Sequence, residues 1–279
     1  MRTLGEDEES RHGSLKGMDL GFRGDVADYY QRFRRGYPEA VFDELVEVFS
    51  LAGDDVVLDL GCATGQLALP MAARVRAVIG MDPEPDMVGR GRAEAVERGL
   101  GNVTWVVGSD GDVPALSAVL GGQMLAAVTI GQALHWMEPA SLFEVLRPMI
   151  RPHGGIAVIN NGRPIWLYDT AWSRALRDFL ERWRGRKLER TFGSDDQTRA
   201  AYRANLAESG YTVHERSVEY AATMDLQQVV GNVFSALPVT ELPAPDQREV
   251  LAGQISEALA PHAPFTEHVR VTILAGRVV

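Results

Sequence analysis

Residues able to do chemistry gather at a few points of the 279-residue chain. The run Val56-Val57-Leu58-Asp59-Leu60-Gly61-Cys62-Ala63-Thr64-Gly65-Gln66-Leu67 is an apolar stretch that ends in small residues and opens into a helical pattern. Glycines at such a turn let main chain approach a ligand, and open α/β sheets bind ligands outside the carboxyl ends of their strands. Asp82 follows Gly61 by twenty-one residues, at the end of the next apolar run, where a carboxylate can accept both hydroxyls of a ribose. The pair therefore points to a nucleoside-bearing ligand. A dinucleotide fingerprint, G-x-G-x-x-G, would need glycine at 63 and 66, where Ala63 and Gln66 stand. The bland readings are a tight strand-to-helix connection at Gly61 and a helix N-cap at Asp82, and the second is compatible with ligand binding.

Further along, Ser109 and Asp110 close a third apolar run, although Ser-Asp-Gly-Asp is also an ordinary turn sequence. His135, followed by Trp136, sits at the end of a fourth, and histidine is the most frequent general base. It can equally pack beside Trp136 or hydrogen-bond main chain. Cys62 has no base beside it in sequence and reads as small turn packing. The remaining histidines, His12, His153, His214, His262 and His268, show no metal-ligand spacing, so no metal is expected.

The elements that must hold these residues alternate between short β-branched runs and helical segments, the sign of a parallel sheet wrapped by helices. Strands are predicted at residues 56–60, 77–81, 103–107, 125–130 and 155–160, with two more at 211–220 and 268–279. Helices are predicted near 66–74, 86–98, 139–149 and 200–209, the third shortened by Pro148. Ahead of the first strand, Ala27, Tyr29, Tyr30 and Phe33 stripe a short helix, Gly36-Tyr37-Pro38 breaks it, and residues 39–49 resume the helical period. Residues 168–183 form one more helix, with Trp172, Ala175, Leu176, Phe179, Leu180 and Trp183 on one face; the aromatic stripe that also includes Trp166 and Tyr168 reads first as buried packing. A helical stretch at 226–260 is interrupted by the proline-rich 238–245. The fold class expected is α/β: a doubly wound, seven-stranded, mostly parallel sheet whose last strand is antiparallel. Residues 163–197 and 224–265 are taken as cap insertions over the carboxyl edge of the sheet.

Composition narrows the partners. Against 28 Lys and Arg stand 38 Asp and Glu, a net charge of −10 that disfavours nucleic acid and anionic membranes. One cysteine excludes an internal disulfide framework and suits a reducing compartment. No apolar stretch approaches the roughly 20 residues of a membrane span, so a cytoplasmic location is expected. Residues 1–17, rich in charge and poor in apolar side chains, are expected to be a disordered tail.

The Gly61 turn preceded by Asp59, with Asp82 and the later Gly108-Ser109-Asp110, resembles the class I S-adenosylmethionine-dependent methyltransferases over residues 56–162. Gly131-Gln132-Ala133-Leu134-His135-Trp136 is similar to a motif of the small-molecule (type 11-like) branch. So is Tyr30-Gln31-Arg32-Phe33-Arg34-Arg35-Gly36-Tyr37-Pro38, in which Arg35 replaces a usual proline. The resemblance implies a Rossmann-like methyltransferase domain over residues 56–279, with helices at 18–55 covering the cofactor. It implies S-adenosyl-L-methionine as cofactor, held by Tyr30, Arg34, Asp59, Gly61, Cys62, Ala63, Asp82, Pro83, Met87, Ser109, Asp110 and Gln132. His135, Trp136 and Trp166 would face the substrate, with His135 as the catalytic base if the acceptor is a hydroxyl. The expected reaction is methyl transfer to an oxygen or nitrogen of a small-molecule metabolite, in secondary metabolism. Expected partners are that acceptor and, at most, a second copy of the chain as a homodimer. Two alternatives stay open: a regulatory binder of the cofactor, and an enzyme using the sulfonium for a rearrangement.

Overall fold

The computed structural model describes residues 20–279, so the tail expected at 1–17 lies outside the described residues. Helix α1 (Asp25–Phe33) stops before Gly36 and Pro38, because the residue ahead of a proline is driven out of the helical region. Helix α2 (Glu39–Phe49) starts directly after Pro38 and buries Val41, Phe42, Leu45, Val48 and Phe49, one face at helical spacing.

The sheet follows. Strands β1 (Val56–Leu60), β2 (Ala77–Asp82), β3 (Val103–Val107), β4 (Leu125–Gly131) and β5 (Ile150–Asn161) are parallel, and β7 (Phe265–Arg277) runs antiparallel to both β5 and β6 (Thr212–Met224). The spatial order is β3-β2-β1-β4-β5-β7-β6, which brings β1 and β4 together at the point where the order reverses. That reversal opens a crevice at the carboxyl edge. Alternation along β1 divides the core: Val57 packs with Phe42 and Phe49 on one face of the sheet, Leu58 with Phe143 and Leu146 on the other.

Three expectations change in detail. The helix expected at 66–74 is confined to α3 (Ala68–Met71), the rest being turns. Helix α5 (Val113–Leu120) was not legible, because its mostly apolar sequence has no amphipathic period and leaves Val119 exposed. Strand β5 reaches back to Ile150, ahead of its expected start at 155, with a register shift against β4 between Leu125 and Ala127. Pro148 behaves as expected: α6 (Pro139–Leu146) gives way to a 3-10 turn over Arg147–Met149. Helix α4 (Pro85–Glu97) packs on β2 and β3, and α8 (Asp196–Glu208) packs on α6.

A third apolar cluster lies among α7 (Ala171–Arg184), α9 (Leu226–Ala236) and α10 (Pro245–Leu259). It buries Trp172, Leu176, Val229, Phe234 and Ile255 and takes Tyr29 of α1 at its border. The aromatic stripe therefore splits: Trp172 is core and donates its indole N–H to the Thr266 carbonyl at 2.9 Å, while Trp183 is 37% exposed. Among the described residues no helix is long and apolar enough to cross a membrane.

Candidate active site

The turn after β1 is shaped by close approach. Gly61 has φ +72°, and a Cβ there would stand 2.5 Å from Cβ of Ala133, so only glycine lets the β1 and β4 ends meet. Gly61 and Cys62 donate their N–H groups to the Met81 carbonyl at 2.8 and 3.1 Å, tying the turn to the end of β2. Ala63, at φ +45°, donates its N–H to Oδ2 of Asp82 at 2.8 Å, and Glu84 donates its N–H to Oδ1 at 3.0 Å. Asp82 is thus held rigidly, with one lone pair left on each oxygen. Burial pushes its carboxyl up to about 6, against those two N–H donors.

Asp59 lies on β1 opposite Thr129 of β4, whose hydroxyl donates to Oδ1 at 2.8 Å. Its other oxygen, Oδ2, is buried without a hydrogen-bond partner among the described residues. Burial raises this carboxyl to about 7, opposed by Thr129 and the Ala68 main chain and assisted by the nearby charge of Asp82. The Cys62 thiol, buried beside both carboxylates, is pushed well above its ordinary range and is no nucleophile at neutral pH.

Above the turns, the segment after α1 forms one wall of a cavity. The Arg34 guanidinium lies 5.2 Å from the Tyr30 ring centroid. Tyr37 approaches the end of β4 closely: a Cβ on Gly131 would be 2.7 Å from its hydroxyl and 2.6 Å from Cδ1 of Leu67. Burial raises both tyrosine hydroxyls, so they are neutral donors. Asn161, at the end of β5, fastens this wall by donating to the Gly36 carbonyl at 3.0 Å and accepting from the Tyr220 hydroxyl at 2.9 Å. Arg35 turns to the buried Glu267 of β7 in an ion pair.

The far end of the cavity is aromatic. His135 occupies a 3-10 turn (Leu134–Trp136), with ring centroids 4.9 Å from Trp136 and 5.5 Å from Phe192. Burial and the charge of Arg190 hold His135 down at about 3, so it is a neutral imidazole. Trp166, on a 3-10 turn of its own, lines the same space with Ile165 and Thr191.

The structure gathers most of the sequence-predicted residues around one cavity: Tyr30, Arg34, Asp59, Gly61, Cys62, Ala63, Asp82, Pro83, Met87, Gln132, His135, Trp136 and Trp166 all line it. Ser109 and Asp110 are not among its walls. The Ser109 hydroxyl and N–H both donate to Oδ2 of Asp112, at 3.1 and 3.0 Å, forming a cap on the 3-10 turn Asp110–Asp112. This is the plain-turn reading of that sequence. Sequence reasoning missed Glu84, Tyr37, Asn161 and Phe192 as wall residues. Tyr37 and Glu84 were signalled by their neighbours Arg34 and Asp82. Phe192 carries no local signal, because only tertiary packing brings it to His135.

Residues 57–154 match the model of a methyltransferase domain family. An uncharacterized methyltransferase of Mycobacterium tuberculosis, Rv3342, is 26% identical over 249 residues, covering 89% of each chain. Another uncharacterized methyltransferase, C25B8.09 of Schizosaccharomyces pombe, is 25% identical over 91% of this chain and 93% of its own. Among solved structures, a proposed type II methyltransferase from Anaeromyxobacter dehalogenans shares the fold with a TM-score of 0.59 at 20% identity, covering 88% of this chain and 99% of that one. With a methyltransferase domain matched over residues 57–154, methyltransferase relatives along most of its length and this fold, the chain is similar to the class I S-adenosylmethionine-dependent methyltransferases.

Proposed function

We propose that the chain methylates an oxygen or nitrogen of a small-molecule acceptor held at the aromatic end of the cavity. The observation that carries this reading is continuity: one cavity has the Asp59, Gly61 and Asp82 cradle at one end and His135, Trp136, Trp166 and Phe192 at the other. Both ends can then be filled at once, with the reacting atoms meeting between them.

The residues fit the cofactor on two counts. Oδ2 of Asp59 is a buried acceptor awaiting a donor, which the ammonium of the cofactor's methionine part supplies. The cradle at Gly61 and Gly131 exists because Cβ atoms are missing there. S-adenosylmethionine, when bound, supplies an activated methyl group that needs chiefly alignment with a nucleophile. Asp82 accepts the ribose hydroxyls with its two remaining lone pairs. Arg34, which has no carboxylate partner among the described residues, offers its guanidinium to the cofactor's carboxylate. Tyr30 and Tyr37 close over the cradle and exclude water. His135, neutral at pH 7, accepts a hydrogen bond from an acceptor O–H or N–H and so orients its lone pair. Held near 3, it takes the proton fully only as the methyl group arrives and turns the hydroxyl into a strongly acidic oxonium.

The test supplies methyl-labelled cofactor with candidate acceptors and measures S-adenosylhomocysteine release. Acceptor-dependent release that falls in His135→Ala, with cofactor affinity kept, is expected. Tight cofactor binding without release over a broad acceptor set would replace this reading with that of a regulatory binder.

A further inference from the structure

We propose that the acceptor carries an anionic oxygen group, a carboxylate or a phosphate, on a flat apolar body, and that Arg163 and Arg190 bind that group. The proposal rests on the methyl-transfer reading, since it names the acceptor's chemistry at the same cavity.

Charge placement is the ground for it. About half of the described arginines meet carboxylates, among them Arg74 with Glu39, Arg151 with Asp55, Arg184 and Arg186 with Glu241, and Arg248 with Asp25. Arg34, Arg163 and Arg190 have no carboxylate partner among the described residues, and all three stand at one cavity. Arg34 and Arg163 line it, and the Arg190 guanidinium carbon lies 4.9 and 5.0 Å from the centroids of two wall rings, Trp136 and Phe192. The cofactor brings a single carboxylate, which Arg34 accommodates from the N-terminal wall. Two cations are left over.

The acids lining the cavity do not offset them. Asp59 on β1, Asp82 at the end of β2 and Glu84 just after it all lie in the cofactor's half. Beside the acceptor's half, Asp195 accepts from the Thr191 and Thr198 hydroxyls, and Glu267 is already in an ion pair with Arg35. Arg163 is set in place by its main chain, whose N–H donates to the Tyr168 hydroxyl at 3.2 Å, directly after Gly162 at φ +75°. Arg190 lies over the two rings and has no carboxylate partner among the described residues, so its N–H groups can meet a planar or tetrahedral anion. Trp136, Trp166 and Phe192 supply the apolar surfaces for the rest of the molecule. A neutral acceptor would leave both arginines as ordinary solvated surface cations.

The experiment saturates the protein with S-adenosylhomocysteine and titrates benzoate, cinnamate and 2-naphthoate, their amides, and phenyl phosphate, following binding by calorimetry. The acids or the phosphate should bind at least about tenfold more tightly than the amides, a difference of about 1.4 kcal/mol. Preference between the carboxylates and the phosphate identifies the anion. Arg163→Gln and Arg190→Gln should each erode this preference, and the double variant should abolish it, with S-adenosylhomocysteine affinity unchanged. Equal binding of acids and amides, no binding of any anion, or anion preference surviving in the double variant overturns the proposal. Failure to bind S-adenosylhomocysteine at all would instead overturn the methyl-transfer reading.

Discussion

Replacing Asp59 by asparagine separates what this carboxylate costs the fold from what it gives the cofactor. In the folded chain its pKa is raised from an ordinary 3.8 to about 7, chiefly by burial. A carboxyl raised on folding favours the folded state when protonated, so wild-type stability is lost as pH climbs from about 4 through about 7. At about 1.4 kcal/mol per tenfold change, the cost above pH 7 is at most about 4 kcal/mol, and less once relaxation and water penetration are counted. Asparagine keeps an oxygen to accept from the Thr129 hydroxyl and carries no charge. Without cofactor, Asp59→Asn should therefore be more stable than wild type by about 1–4 kcal/mol at pH 8, and by progressively less toward pH 5. Cofactor affinity should move the other way. Losing a charge-assisted hydrogen bond of about 1.5–3 kcal/mol weakens S-adenosylhomocysteine about 10- to 150-fold. Urea denaturation across pH and calorimetric titration read the two effects. A variant less stable than wild type at pH 8, or one that binds cofactor normally, would refute this account of Asp59.

Gly61→Ala places a methyl group 2.5 Å from Cβ of Ala133 at a positive φ, so it should cost about 1–3 kcal/mol in thermal unfolding and abolish cofactor binding. His135→Ala should lower turnover by about 100-fold or more while S-adenosylhomocysteine affinity stays within about twofold. Comparable loss of both would assign His135 to the cofactor or to folding. Because His135 is held near 3, the pH profile of kcat/KM should show no histidine inflection near its ordinary 6.5 that disappears in His135→Gln. Glu267→Ala strands Arg35 and should cost about 3–5 kcal/mol, whereas the double change Arg35→Met with Glu267→Met should recover most of it. Equal loss in single and double variants would show that the pair is not the source.

The sequence by itself determined the cofactor end of this protein. A strand, a small-residue turn and an acid at the end of the next strand are local patterns, and parallel neighbours in an α/β sheet bring them together without distant help. Asp59, Gly61 and Asp82 were therefore legible, as were the breaks at Pro38 and Pro148. Ser109 marks the boundary of that legibility: its sequence suits both a ligand contact and a turn cap, and only the fold shows that its hydroxyl donates to Asp112. Only the tertiary structure decided the acceptor end. Phe192 meets His135 and Arg190 meets Trp136 across more than fifty residues of chain, and Arg35 finds Glu267 on the last strand of the sheet. No local period encodes such contacts, because they arise from the packing of helices α7, α9 and α10 and from the chain's return to β7. The charge and shape of the aromatic end are accordingly properties of the folded surface, while the turns after β1 and β2 are written in two short stretches of sequence.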